Sequence, residues 1–120
     1  MIAGFLLDEH LPKWWRRDIL RLAPGLAIWC LGTPGAPALE SPDSFLLEWC
    51  EARNCILLTN NRSTMSGHLA EHINQGRHIQ DIFIADPEIN IADLAFTLEL
   101  IVGASFENEF LDQINYFPLL

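Results

Sequence analysis

Polar side chains, several of them acids, follow the short apolar runs of this sequence. They are Asp8, Glu9 and His10 after the first run, Thr59, Asn60, Asn61 and Arg62 after CILLT, and Asp86 after DIFIA. Asp43 stands where a helix should begin, after a long loop. Carboxylates that converge on one cleft repel each other unless a cation holds them together. Oxygen ligands of this type suit Mg²⁺ or Mn²⁺ rather than zinc, and such an ion can orient a phosphodiester and activate water.

Each of these residues also has a plainer interpretation. Asp8 could cap the next helix or close a turn, and an acid at Asp43 is favoured by the helix dipole alone. His68 and His72 are four residues apart, a spacing that can chelate zinc, but the order H-L-A-E-H is not H-E-x-x-H and offers no evident third ligand. We expect these two histidines to be surface residues.

The basic residues are concentrated in one segment. The chain has a net charge of −9 and only seven Lys and Arg, of which four lie together: Lys13, Arg16, Arg17 and Arg21. A chain this acidic should be repelled by nucleic acid on average, so RNA binding would need this local group, a divalent ion, or both. Lys13, Arg17 and Arg21 are spaced to form one stripe on a helix that starts just after Asp8. Phosphates held by the stripe could therefore extend into the acidic cleft.

The elements that must position these residues alternate along the chain. Apolar strands near Ile2–Leu7, Leu26–Leu31, Cys55–Thr59 and Asp81–Ala85 are separated by amphipathic helices. Ser41 is predicted to cap the helix that runs to Arg53, and further helices are predicted over Thr64–Gln75 and Ile91–Val102. The last helix is predicted over 105–116. The order predicts one α/β domain over 1–120, with a mostly parallel four-stranded sheet covered by helices. In such sheets ligands bind beyond the carboxyl ends of the strands.

The composition and the cysteine pattern predict where in the cell the protein is found. No apolar run approaches the roughly 20 residues that cross a bilayer. The three cysteines form no C-x-x-C pair and are odd in number, so neither a disulfide framework nor a zinc ribbon is expected. We therefore expect a cytoplasmic protein with buried thiols and no membrane association.

Three segments together resemble a known family: FLLDEHLP, ESPDSFLLEWCEARNCILLTNN and RSTMSGHLAEHINQGRH. The chain resembles the bacterial PIN-like proteins, relatives of the PIN-domain ribonucleases that include the VapC toxins. The match covers residues up to about 102. The resemblance implies a Rossmann-like α/β/α sandwich whose acidic pocket binds Mg²⁺ or Mn²⁺ and cuts RNA, in a toxin paired with an antitoxin protein and forming a homodimer.

The family's site residues carry over one by one. Asp8 matches the acid that ends the first strand, and Asp43 matches the acid that starts the helix after the long loop. Asn61 stands where an acid is expected, and would contribute an oxygen or orient water. Lys13, Arg17 and Arg62 would hold phosphate.

The departure at Asn61 removes one negative charge and a potential base from the pocket. Metal affinity should fall, unless Glu9 or Glu48 replaces the missing acid. Two hypotheses stay open: a metal-dependent ribonuclease weakened at Asn61, and a non-catalytic interaction domain. The second would use the apolar ending NYFPLL for docking, which we expect to be exposed.

Overall fold

The protein is described by a computed structural model, which covers residues 2–61, 63–104 and 111–117. It has four helices and five strands within those ranges. The strands are β1 (Gly4–Leu7), β2 (Ile28–Cys30), β3 (Cys55–Thr59), β4 (Asp81–Ala85) and β5 (Ile114–Phe117). The helices are α1 (Trp15–Leu22), α2 (Asp43–Arg53), α3 (Met65–Asn74) and α4 (Ile91–Ala104).

The five strands form one parallel sheet in the order β2-β1-β3-β4-β5. The chain moves from β1 to β2 on one side and then crosses to β3 on the other, so the order reverses between β1 and β3. This Rossmann-like arrangement confirms the predicted α/β class, and the rule for open sheets puts a ligand site beyond the carboxyl ends of β1 and β3. The sheet has one strand more than predicted.

Helices cover both faces of the sheet. Alternate residues of each buried strand point to opposite faces: Phe5 packs with α1 and α4, whereas Leu6 packs with α2 and α3. On the first face Trp15 and Ile19 of α1 are fully buried, as the amphipathic pattern of that helix requires. The sheet is therefore the middle layer of an α/β/α sandwich with a core on each side.

The helix predicted over 105–116 is wrong for the part of it that the structure describes. Ile114–Phe117 is a strand that pairs with β4, and residues 105–110 lie outside the described residues. Asn115 donates to the Asp81 carboxylate at 2.8 Å, and Phe117 packs edge-to-face on Phe83 at 4.6 Å. These partners are distant in sequence, and together with the β-forming types of INYF they override the local helical pattern.

The same segment corrects the expectation of an exposed apolar ending. Phe117 is buried in the core, whereas Tyr116 is 38% exposed. Residues 118–120 lie outside the described part of the chain. Over residues 2–61, 63–104 and 111–117, no helix has both the length and the apolar character needed to cross a membrane.

Candidate functional site

Asp8 lies directly beyond β1 and is almost fully buried. Its Oδ1 accepts the backbone N–H of Glu9 at 2.7 Å, and its Oδ2 accepts the hydroxyl of Thr59 at 2.8 Å. Thr59 ends β3 and is fully buried. Burying a carboxylate is costly unless it is hydrogen-bonded, and these two donors meet that requirement. They leave free some of the roughly four lone-pair positions of the carboxylate. Asp8 therefore joins the ends of β1 and β3 at the point where the strand order reverses.

Asn61 continues this network from β3 to α3. Its backbone N–H donates to Thr59 Oγ1 at 3.1 Å. Its side-chain oxygen accepts the Thr64 N–H at 3.2 Å, and its Nδ2 donates to Thr64 Oγ1 at 2.7 Å. The Thr64 N–H fixes which end of the amide is oxygen, since only the oxygen can accept it. Asn61 thus closes the turn into α3, and its oxygen faces the start of that helix.

Asp43 is the first residue of α2 and meets the other side of Asn61. Its Oδ2 lies 3.4 Å from Asn61 Nδ2 and 3.4 Å from His68 Nε2, and its side chain is 23% exposed. Ser41 does not cap the helix as predicted: its hydroxyl donates back to Ala38 O, and Pro42 is the N-cap. We call the connected residues Asp8, Thr59, Asn61, Asp43 and His68 the edge network.

Two acids considered as substitutes have other partners. Glu9 Oε1 accepts the backbone N–H of Glu40 at 2.7 Å, which fixes the loop before α2. Glu48 pairs at 3.4 Å with Arg77, a residue that follows the carboxyl end of α3. Within the ranges that the structure describes, no three His, Cys, Asp or Glu side chains are grouped closely enough to enclose a metal ion. Arg62 lies outside those ranges.

The predicted basic group is only partly gathered. Lys13, Arg16 and Arg17 line a cavity of about 360 Å³ that also reaches Asp8. Arg16 Nε donates to Ile28 O at 2.8 Å, which holds this side chain across the start of β2. Arg21 does not line the cavity and lies 3.8 Å from Asp18. The structure thus places three of the four basic side chains around the cavity that reaches Asp8.

The two histidines four residues apart do not share a ligand. His68 is 39% exposed at its side chain and faces Asp43, so it joins the edge network, which its spacing did not indicate. His72 is buried, contrary to the expectation of a surface residue. Its Nε2 lies 2.8 Å from Glu51 Oε1 and 3.1 Å from His78 O. A buried imidazole needs such partners, and they come from α2 and from the chain after α3.

The remaining polar residues at strand ends have local roles. Asp86 Oδ1 accepts the Glu88 N–H at 2.9 Å and closes the turn after β4. His10 is exposed in the turn after β1. Neither side chain is hydrogen-bonded to a residue of the edge network.

Comparison of the chain with protein-family models, with curated proteins and with solved structures found no match.

Proposed function

We propose that the protein is a metal-dependent ribonuclease of the PIN-like type, acting at the edge network. The supporting observation is the hydrogen-bonded connection from Asp8 through Thr59 and Asn61 to Asp43. Asp8, Asn61 and Asp43 are the positions to which the family resemblance assigns the site, and Thr59 links the first two of them. Asp8 follows β1 and Asn61 follows β3, at the edge of the sheet where the topology favours a ligand.

The two carboxylates of the edge network would suit one hard cation rather than two. Mg²⁺ is usually held by one or two carboxylates together with water and substrate phosphates, not by a closed protein cage. Asp8 and Asp43 would hold such an ion, and within the described residues no group of three His, Cys, Asp or Glu could enclose it. When bound, the ion supplies a nucleophile at neutral pH and neutralises phosphate charge.

The chain's other residues orient this pair. The Thr59 hydroxyl fixes the Asp8 carboxylate, because it donates to Oδ2 from a fully buried position. Asn61 donates to Asp43 while its oxygen stays on the Thr64 N–H, so it serves as a positioning residue. Lys13 and Arg17 attract the RNA backbone to an otherwise acidic protein.

The test is cleavage of a fluorescently labelled single-stranded RNA with Mn²⁺. Loss of a residue that supports a metal ligand already costs about 10- to 100-fold, so Asp8→Asn, which removes the ligand itself, should lower the rate at least about 100-fold. Glu99→Gln, which removes an exposed acid of α4, is the matched control and should keep the wild-type rate. Equal rates for wild type and Asp8→Asn would refute the proposal.

The second candidate is a non-catalytic interaction domain. The observation that favours it is Asn61, which replaces the expected acid and uses its oxygen to close the turn into α3. This candidate predicts no Mn²⁺-dependent cleavage by the wild type and no gain in Asn61→Asp. The toxin role, the antitoxin partner and the homodimer stay predictions from the resemblance, which co-purification and sedimentation would test.

A further inference from the structure

The cavity beside Asp8 lies on the β2 side of β1, away from Asp43 and α3. Its walls come from the end of β1, the start of α1 and the loop after β2. Its volume of about 360 Å³ lies within the range of about 300–1,000 Å³ that is usual for small-molecule sites. The apolar part of its lining is formed by Leu7, Leu11, Pro12, Leu31 and Leu39.

The loop that closes this cavity is held in place by specific contacts. Gly32 adopts φ +83°, and its N–H donates to Pro37 O at 2.8 Å. A Cβ at Gly32 would lie 2.8 Å from Leu39 Cγ, so glycine permits Leu39 to fold back over the loop. At the far end, Glu40 has φ 64° and donates its N–H to Glu9. The cavity wall is therefore preformed, with Leu39 58% exposed upon it.

The cavity lining carries both basic and acidic side chains. Lys13, Arg16 and Arg17 are three of the chain's seven Lys and Arg residues. Lys13 makes no ion pair with any described residue. Arg17 pairs with Asp18 at 3.0 Å, but its side chain is 78% exposed. Among the described residues, Asp8 and Glu9 are the acids that line the cavity. An anionic group is therefore favoured beside the cations, and hydrogen-bond donors are favoured beside the two carboxylates.

We propose that this cavity binds one nucleotide unit, a nucleoside monophosphate. The phosphate lies against Lys13 and Arg17, the base packs on Leu31 and Leu39, and the ribose hydroxyls donate to the Asp8 or Glu9 carboxylate. A ligand with an anionic end, an apolar flat part and hydroxyl donors matches all three regions of the lining. The inference rests on the proposed function, for which it names a subsite that holds a nucleotide of the RNA next to Asp8.

Cys30 provides a reporter inside the cavity. Its side chain is half-buried in the lining, whereas Cys50 and Cys55 are fully buried. Burial raises the pKa of the Cys30 thiol, so alkylation by iodoacetamide is measured at alkaline pH. Adenosine 5′-monophosphate, in EDTA so that no metal contributes, should slow the alkylation of Cys30. Adenosine alone and inorganic phosphate alone should each protect less.

Charge variants identify the phosphate contact. Lys13→Gln and Arg17→Gln should each weaken protection by adenosine 5′-monophosphate about 10-fold, as expected for a lost hydrogen bond to a charged group. Arg21→Gln removes the same charge from α1, the helix that carries Arg17, but outside the cavity, and should leave protection unchanged. Thermal unfolding of each variant verifies that it is folded.

Three results would overturn the inference: no protection by the nucleotide, equal protection by inorganic phosphate, or equal losses in all three variants. The assay needs no metal and no cleavage. A protein that cleaves RNA with Mn²⁺ but leaves Cys30 unprotected would refute the subsite alone. Nucleotide protection without cleavage would refute the ribonuclease alone.

Discussion

Asn61→Asp restores the acid that the resemblance expects, and the structure places the new charge beside Asp43. In the wild type, Asn61 Nδ2 lies 3.4 Å from Asp43 Oδ2. The substitution replaces this donor with a carboxylate oxygen, so an attraction becomes a repulsion. Without metal, the variant should therefore be less stable than the wild type.

The distance sets the size of this effect. Two unit charges 3.4 Å apart repel by about 1 kcal/mol in water and by about 5 kcal/mol at an effective dielectric constant of 20. The Asp43 side chain is 23% exposed, so water screens the pair in part. We expect the free energy of unfolding in EDTA to fall by about 2 kcal/mol.

Mn²⁺ should reverse the penalty, because a cation between two carboxylates offsets their repulsion. Binding to the folded state alone adds about 1.4 kcal/mol for each tenfold rise in free ion above the dissociation constant. The stability difference from the wild type should therefore shrink as Mn²⁺ is added. RNA cleavage should increase over the same range.

The assay is urea unfolding followed by tryptophan fluorescence, in EDTA and across a Mn²⁺ titration. Asn60→Asp is the matched control, since it adds the same charge one residue earlier, at a side chain that is not hydrogen-bonded to Asp43. If Asn61→Asp and Asn60→Asp have equal stability in EDTA, or gain equally from Mn²⁺, the reasoning about Asn61 and Asp43 is wrong.

Two further predictions concern buried polar groups. Thr59→Val removes the buried donor to Asp8 and should lower the free energy of unfolding by about 1–3 kcal/mol in urea titrations. The control Thr97→Val, which removes an exposed hydroxyl of α4, should lower this free energy far less. Equal losses in the two variants would contradict the role of Thr59. Burial raises the pKa of Asp81 from 3.8 to about 8, so the folded state holds a proton that the unfolded chain releases, and this group's contribution to stability falls between about pH 4 and pH 8. Asp81→Asn should flatten that fall in pH-dependent urea unfolding, and an unchanged slope would show that Asp81 is ionised in the folded protein.

The sequence predicted those elements that local pattern determines. The runs CILLT and DIFIA have the bounds of β3 and β4, because short apolar runs between polar residues must be buried strands in a helix-covered sheet. The position of Asp8 follows from the same reasoning, since it comes directly after the first buried strand.

Features that depend on distant partners were not predictable in this way. Ile114–Phe117 is a strand because β4 lies beside it, and His72 is buried because Glu51 of α2 reaches its ring. The sequence marks Asn61 only as a replacement for an expected acid, whereas its position is set by Thr64 and Asp43. Local residue types do not specify such partners, since the fold alone brings them together.

The most direct test of the central claim is a Mn²⁺ titration observed by NMR, since this paramagnetic ion broadens the amide signals nearest to it. The claim that Asp8 and Asp43 hold the ion predicts that the signals of Glu9 and Asn61 broaden first, and that Asp8→Asn abolishes this effect. Broadening that begins at the exposed acids of α4, Asp93 and Glu99, while Glu9 and Asn61 stay sharp, would contradict it.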